Sequence, residues 1–329
     1  MKLFWARIKD IISGVIKFVT KDIWALDFSQ LSDARKKWVR NAQAFLLTAK
    51  EFGKSRIGRE AIALSRFTTL AFIPMIAVIL FISSGFGFDR LLSENLETSF
   101  PDSTGMIQVV IDYAKNIIKA TENGAFGWIS FLSFIWTIVW LMINVETAFN
   151  RIWEVDQPRK PWKRALIYFI IMLTAPFVLV LFLSGWVYYA RFIGLLEGKL
   201  GPFDFITTNL FWLALYGIVI LALSVMYRFI PCAKVRYGSA LKAALIVGVP
   251  FVVIQYLYLG TQVMVTRLNT VYGALAFIPL FMIWLNLCWQ IILFGAELSR
   301  GYTLVDYREA KERGLTDLTE EELIQLDIE

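Results

Sequence analysis

The sequence predicts an all-α integral membrane protein with six transmembrane helices and both termini in the cytoplasm. Three observations carry this. The 329-residue chain is 57% hydrophobic and only 18% charged, where a soluble domain is nearer a quarter charged. Its apolar residues stand in six long blocks that hold no Asp, Glu, Lys or Arg, which is how a bilayer-spanning chain is written. The connectors between the blocks alternate in charge. Three regions follow: residues 1–62 as cytoplasmic or interfacial amphipathic helices, 63–300 as the six-helix transmembrane domain, and 301–329 as a charged cytoplasmic tail.

Residues 1–26 place Phe4, Ile8, Ile11, Ile12, Val15, Phe18 and Val19 at helical spacing, with Lys2, Arg7, Lys9, Lys17 and Lys21 between them. That pattern suits a helix lying in the membrane surface, or equally one packed on the rest of the protein. No compact apolar core precedes a small-residue cleavage site, so no cleavable signal peptide is expected. A second, polar helix is predicted over 31–52, carrying Arg35, Lys36, Lys37 and Arg40. The predicted spans are 67–88, 123–145, 165–190, 205–227, 243–266 and 268–296. Each meets the requirement of about 20 apolar residues for a hydrocarbon core about 30 Å thick. A β-barrel is written instead in short alternating segments. Between the first two spans, Ile107, Val110, Ile111, Ala114, Ile117 and Ile118 form an apolar stripe, which predicts a short extracytoplasmic helix over 105–119. In the tail, Thr319 before Glu320, Glu321 and Glu322 reads as a helix start.

Charge orients the spans. Arg151, Arg159, Lys160, Lys163 and Arg164 follow span two, and Arg228, Lys234, Arg236 and Lys242 follow span four. The connector after span one is net acidic, with Asp89, Glu94, Glu97, Asp102, Asp112 and Glu122 against Arg90, Lys115 and Lys119. Positive residues mark the cytoplasmic side, so the N-terminus lies inside and six spans return the C-terminus there. The formal net charge of +6 is therefore read as orientation and attraction to anionic lipid, with no nucleic-acid partner.

The chain holds no histidine and two cysteines, Cys232 and Cys288, both in or beside apolar blocks. Loss of histidine removes the commonest general base and metal ligand. No P-loop, GxSxG, HExxH or Cys ligand pair occurs. No catalytic residue, metal or cofactor is expected.

Two sets of residues remain as candidates. Pro74, Pro176, Pro250 and Pro279 interrupt four spans, and each removes a backbone hydrogen bond and favours a kink. They read as movable helices around a cavity or as ordinary membrane-helix prolines. Asn144, Glu146 and Arg151 lie at the end of span two, Gln255 in span five, and Asn286, Gln290 and Glu297 on one face of span six. Such polar groups face protein or water rather than lipid. They read as a polar path or headgroup site, or as interhelical hydrogen bonds worth about 0.6–2 kcal/mol each. Glu146 and Glu297 are expected to pair with Arg151 or Arg300.

The stretch Tyr272-Gly273-Ala274-Leu275-Ala276-Phe277-Ile278-Pro279-Leu280, then Trp284, Trp289 and Gly295-Ala296-Glu297-Leu298, closely resembles the C-terminal signature of the YihY/BrkB family of bacterial inner-membrane proteins. Ala148-Phe149-Asn150-Arg151-Ile152-Trp153 and Arg228-Phe229-Ile230-Pro231 resemble its signatures after the second and fourth spans. The resemblance covers roughly residues 60–300 and makes Tyr272, Gly273, Pro279, Trp284, Gly295 and Glu297 the signature residues. It implies six helices in the cell inner membrane and a virulence-factor role linked to serum resistance. Some members of that family have been connected with moving envelope lipids. The older family label ribonuclease BN is regarded as a misassignment, and the resemblance brings no catalytic residues with it.

Lipid or amphiphile transport is the leading expectation, with anionic headgroups at the cytoplasmic face as partners. A non-transporting scaffold for envelope proteins is the alternative, and a homo-oligomer is a further candidate assembly. A membrane-bound ribonuclease has only the basic flanks in its favour.

Overall fold

Where an apolar block ends, nothing obliges its helix to end, because the bilayer selects for hydropathy and the helix for its hydrogen-bond ladder. The computed structural model bears this out. It describes residues 32–54, 57–85, 125–155, 159–174, 177, 204–266 and 270–312. The described helices, in order, are α1 (Asp33–Lys54), α2 (Ile57–Gly85), α3 (Ala125–Ile152), α4 (161–174), α5 (Asp204–Phe229), α6 (Tyr237–Thr266) and α7 (Thr270–Glu312). All six apolar blocks are helical where described. α2 begins ten residues before its block, and α7 runs well beyond residue 296. The first part of the predicted tail is thus the end of the last helix, with Tyr302, Val305 and Tyr307 buried. The predicted helices over 1–26 and 105–119, the later part of span three with Pro176, and the helix start at Thr319 lie outside the described residues.

The charged ends suit the helix dipoles. Glu60 sits in the first turn of α2, and Arg151 and Arg228 sit in the last turns of α3 and α5, each opposite the partial charge of its helix end. α3 stops in a Schellman motif. The Val155 amide donates to the Asn150 carbonyl at 3.0 Å and the Glu154 amide to that of Arg151 at 3.3 Å. Glu154 takes the left-handed conformation this requires, with φ 55°. Pro74, Pro250 and Pro279 lie inside helices that continue through them. Each leaves the carbonyl four residues earlier without its intrahelical donor.

α7 is the hub, packing against α1, α2, α3, α5 and α6. Many of its close interior partners are small, among larger ones such as Phe149, Trp153 and Tyr227. Ala44, Ala61, Ala71, Ala148, Ala243, Ala244 and Ala296 are buried in one cluster, letting backbones approach as in membrane bundles. A Cβ on Gly295 would come within 2.0 Å of the Tyr227 hydroxyl, and one on Gly301 within 3.0 Å of the Ala44 carbonyl oxygen. The Tyr227 side chain of α5 therefore ends against Gly295, and the α1 backbone passes α7 closely at Gly301. α1 is further held by an edge-on Phe45–Phe294 contact of 6.1 Å and by Arg40–Asp306 at 3.5 Å.

A second set of large apolar side chains points the other way. Leu132, Trp136 and Trp140 on α3, Leu166, Phe169 and Leu173 on α4, Leu213 and Leu221 on α5, and Leu245, Val249 and Val253 on α6 are exposed. In water such continuous faces are an aggregation liability; against lipid tails they are the ordinary outer surface of a span. Among the described residues, Tyr237–Tyr258 and Pro279–Tyr307 are long and apolar enough to cross a bilayer, and Tyr216–Phe229 is a shorter apolar stretch.

Candidate functional site

The polar candidates separate into three places. The first is built around Glu146, two turns before the end of α3 and 2% exposed. A buried carboxylate needs donors on both oxygens, and the start of α4 supplies them. Arg164 donates to Oε1 through Nε at 3.0 Å and Nη2 at 2.7 Å, and the Tyr168 hydroxyl donates to Oε2 at 2.7 Å. Burial works against the Arg164 charge, but the hydrogen bond and charge of Glu146 outweigh it and raise its pKa. Arg159 stands 3.9 Å from Oε2 and spends its own donors on the end of α5, reaching the Phe229, Ile230 and Pro231 carbonyls at 2.7, 3.3 and 3.0 Å. One turn along α3, Asn150 receives the Cys232 amide at 2.8 Å and donates to its sulfur at 3.2 Å. The result is a buried polar knot that ties α3, α4 and the α5–α6 connector. Both oxygens of Glu146 accept hydrogen bonds from α4, so the group acts as a pin between the helices.

The expected partners are corrected here. Arg151 does not pair with Glu146. Five residues along a helix is a turn of about 140°, and Arg151 faces α2, where it meets Glu60. Glu297 does pair with Arg300, at 3.5 Å, and Arg300 also holds Glu154 at 2.6 Å. That links α7 to the cap of α3. Asn144 turns back onto its own helix, donating to the Trp140 carbonyl at 2.7 Å. Gln255 is half-buried on α6 and makes no side-chain hydrogen bond to a described residue.

The third place is midway along α7. Gln290 donates to Asn286 at 2.6 Å, and the Asn286 amide nitrogen is buried without a partner among the described residues. Gln290 also borders a groove of about 220 Å³ between α6 and α7, with Ile246, Val247, Pro250, Ile291 and Phe294 as its other walls. Ile246 is the residue whose carbonyl Pro250 leaves free. An apolar groove on the outer face thus carries two polar groups. Of the signature residues, Trp284 stacks on Tyr258 at 4.5 Å and Gly295 seats Tyr227. Tyr272 and Gly273 lie in the first turn of α7.

Sequence reasoning counted Arg159 and Arg164 as orienting charge and passed over Tyr168, Asn150 and Cys232 as site residues. The available signal was a lone acid closing an apolar block with excess arginine after it; no local spacing names its partners.

Long apolar helices that turn large apolar side chains outward, packed over a core in which alanines lie among Phe149, Trp153, Tyr227 and Tyr302, define a helical membrane protein. The sequence profile described as "Virulence factor BrkB" matches residues 48–317, and the chain belongs to that family. It is 28% identical over 302 residues to a UPF0761 membrane protein of Methylibium petroleiphilum, covering 88% of this chain and 70% of that one. It is 29% identical to one from Chlorobium luteolum, covering 82% and 63%, and 24% identical to one from a Janthinobacterium species, covering 82% and 62%. The chain thus spans somewhat under two thirds of the length of two of these relatives. No solved structure matches.

Proposed function

We propose that the protein is a six-span protein of the cytoplasmic membrane, with both termini inside, that moves or handles envelope lipids or similar amphiphiles. Its topology is supported by a belt of ion pairs at one end of the bundle. Glu60–Arg151, Glu154–Arg300, Glu146–Arg164 and Asp306–Lys242 gather the starts of α2, α4 and α6 with the ends of α3 and α7, as helices alternating in direction require. The basic connectors lie at that end, which the positive-inside tendency places in the cytoplasm.

The observation that carries the transport reading is the α6–α7 groove. It opens on the outer face, fits an acyl chain by its walls, and offers Gln290 and the Ile246 carbonyl to a polar group sliding past. The test is reconstitution of the intact chain in liposomes with fluorescent phospholipid, reading transfer between leaflets by quenching from outside. Transfer is expected with the native chain and is expected to slow with Gln290→Leu. A well-folded native protein that moves no lipid would reject transport. A scaffold role has one observation of its own: α1, docked on α7, turns Trp38 outward, a face suited to an envelope-protein partner or a second copy. Loss of function on replacing Trp38, with lipid transfer intact, would favour it.

A further inference from the structure

Between α5 and α6 the chain reads Arg228-Phe229-Ile230-Pro231-Cys232-Ala233-Lys234-Val235-Arg236-Tyr237, without an acid. This connector and the end of α7 enclose a pocket of about 380 Å³, lined by Arg228, Lys234, Arg236, Tyr237, Thr303 and Tyr307. Arg228 is fixed in place by donating to the Val235 carbonyl. Lys234 and Arg236 are exposed and make no ion pair with a described residue. Asp306, the acid beside Tyr307 on α7, is already engaged by Arg40 at 3.5 Å and Lys242 at 3.8 Å, so it does not neutralise them. α6 begins at Tyr237, with the Ser239 and Ala240 amides donating to the Arg236 carbonyl at 3.0 and 3.2 Å, and the positive end of its dipole adds to the potential there. Tyr307 is 3% exposed, and its hydroxyl is buried with no hydrogen-bond partner among the described residues. A pocket wall that holds a buried hydroxyl without an acceptor among the described residues, three cations and a helix N-terminus has the chemistry that recognises an anion.

We propose that this pocket binds a phosphate ester. Three cations and a hydroxyl donor suit a tetrahedral anion with several acceptor oxygens. The volume lies within the roughly 300–1,000 Å³ of small-molecule sites, which leaves room for the group that the phosphate esterifies. That group is either a lipid headgroup or a soluble phosphate compound. The pocket's position at the cytoplasmic surface rests on the topology proposed above; its anion chemistry does not.

The test uses the intact protein in nanodiscs. In phosphatidylcholine alone, inorganic phosphate is titrated and followed by calorimetry. In equal phosphatidylcholine and phosphatidylglycerol, retained lipid is counted by native mass spectrometry. Lys234→Gln with Arg236→Gln changes two exposed residues and leaves the packing alone. It is expected to weaken binding roughly thirtyfold, and Tyr307→Phe about fivefold. Saturable phosphate binding lost in the double variant supports the pocket with a soluble source. Preferential retention of phosphatidylglycerol, lost in the same variant, supports it with a lipid source. No binding in either arm, or binding unchanged by the double variant, overturns it. Leaflet transfer measured with the same protein variants in sealed liposomes keeps the two proposals apart. Transfer without anion binding rejects the pocket alone, and anion binding without transfer rejects the transport reading alone.

Discussion

Glu146→Ala removes the acceptor on which Arg164 and Tyr168 converge. Breaking a buried pair by deleting one partner costs about 3–5 kcal/mol, because the other charge stays behind unpaired. Arg164 and Arg159 keep 21% and 22% of their side-chain surface in solvent, which screens them and argues for the lower end. The Tyr168 hydroxyl is buried and adds the cost of an unmet donor. The expected loss is about 3 kcal/mol, or about 4 °C in melting temperature for a chain of 329 residues. It is read by thermal unfolding of the detergent-solubilised protein. Adding Arg164→Leu is expected to restore about 1–3 kcal/mol, since the stranded charge goes too. A Glu146→Ala protein that melts within about 1 °C of the native one would refute the pin, and would reopen Glu146 as a group held for a ligand.

Three further outcomes are expected. Gly295→Ala sets a methyl 2.0 Å from the Tyr227 hydroxyl and 2.6 Å from its ring carbon, and overpacking of this kind costs about 1–3 kcal/mol; thermal melts should show the loss, and Tyr227→Leu should recover part of it. Arg151→Ala breaks the pair with Glu60, but Arg151 is 65% exposed, so chemical or thermal unfolding should register less than about 1 kcal/mol. In a chain lacking Cys232 and Cys288, Ser93→Cys should react with an impermeant maleimide on intact cells and Lys234→Cys only after permeabilisation; the reverse pattern would overturn the orientation.

Much of the fold was legible because hydropathy over a span and helicity are properties of neighbouring residues. The blocks at 205–227 and 243–266 coincide with α5 and most of α6 for that reason. The boundaries were less legible. Gly58 to Arg66 is polar enough to leave the bilayer, yet its ladder continues, so α2 starts early; likewise Arg300 and Asp306 did not stop α7. The candidate site was legible only as a set of residue types. Glu146 was read as one member of a polar path or of a Glu–Arg pair; the structure gives it an arginine pair, but with Arg164 rather than Arg151. Asn286, Gln290 and Glu297 lie on one helix as read, while the neighbours of Gln290 across the groove were invisible.

By itself, then, the sequence determined which segments are apolar helices and which ends carry positive charge, since each depends on about 20 consecutive residues or on a short flank. The tertiary structure alone decided which groups meet. Glu146 finds Arg164 18 positions away, Asn150 finds Cys232 82 away, and Glu60 finds Arg151 91 away. Those pairings follow from how helices pack at small residues such as Gly295 and Gly301, and packing geometry is not a property of any one segment. The basic pocket has the same origin. Its lysine and arginines are adjacent in sequence, but the tyrosine that completes it comes from the far end of α7.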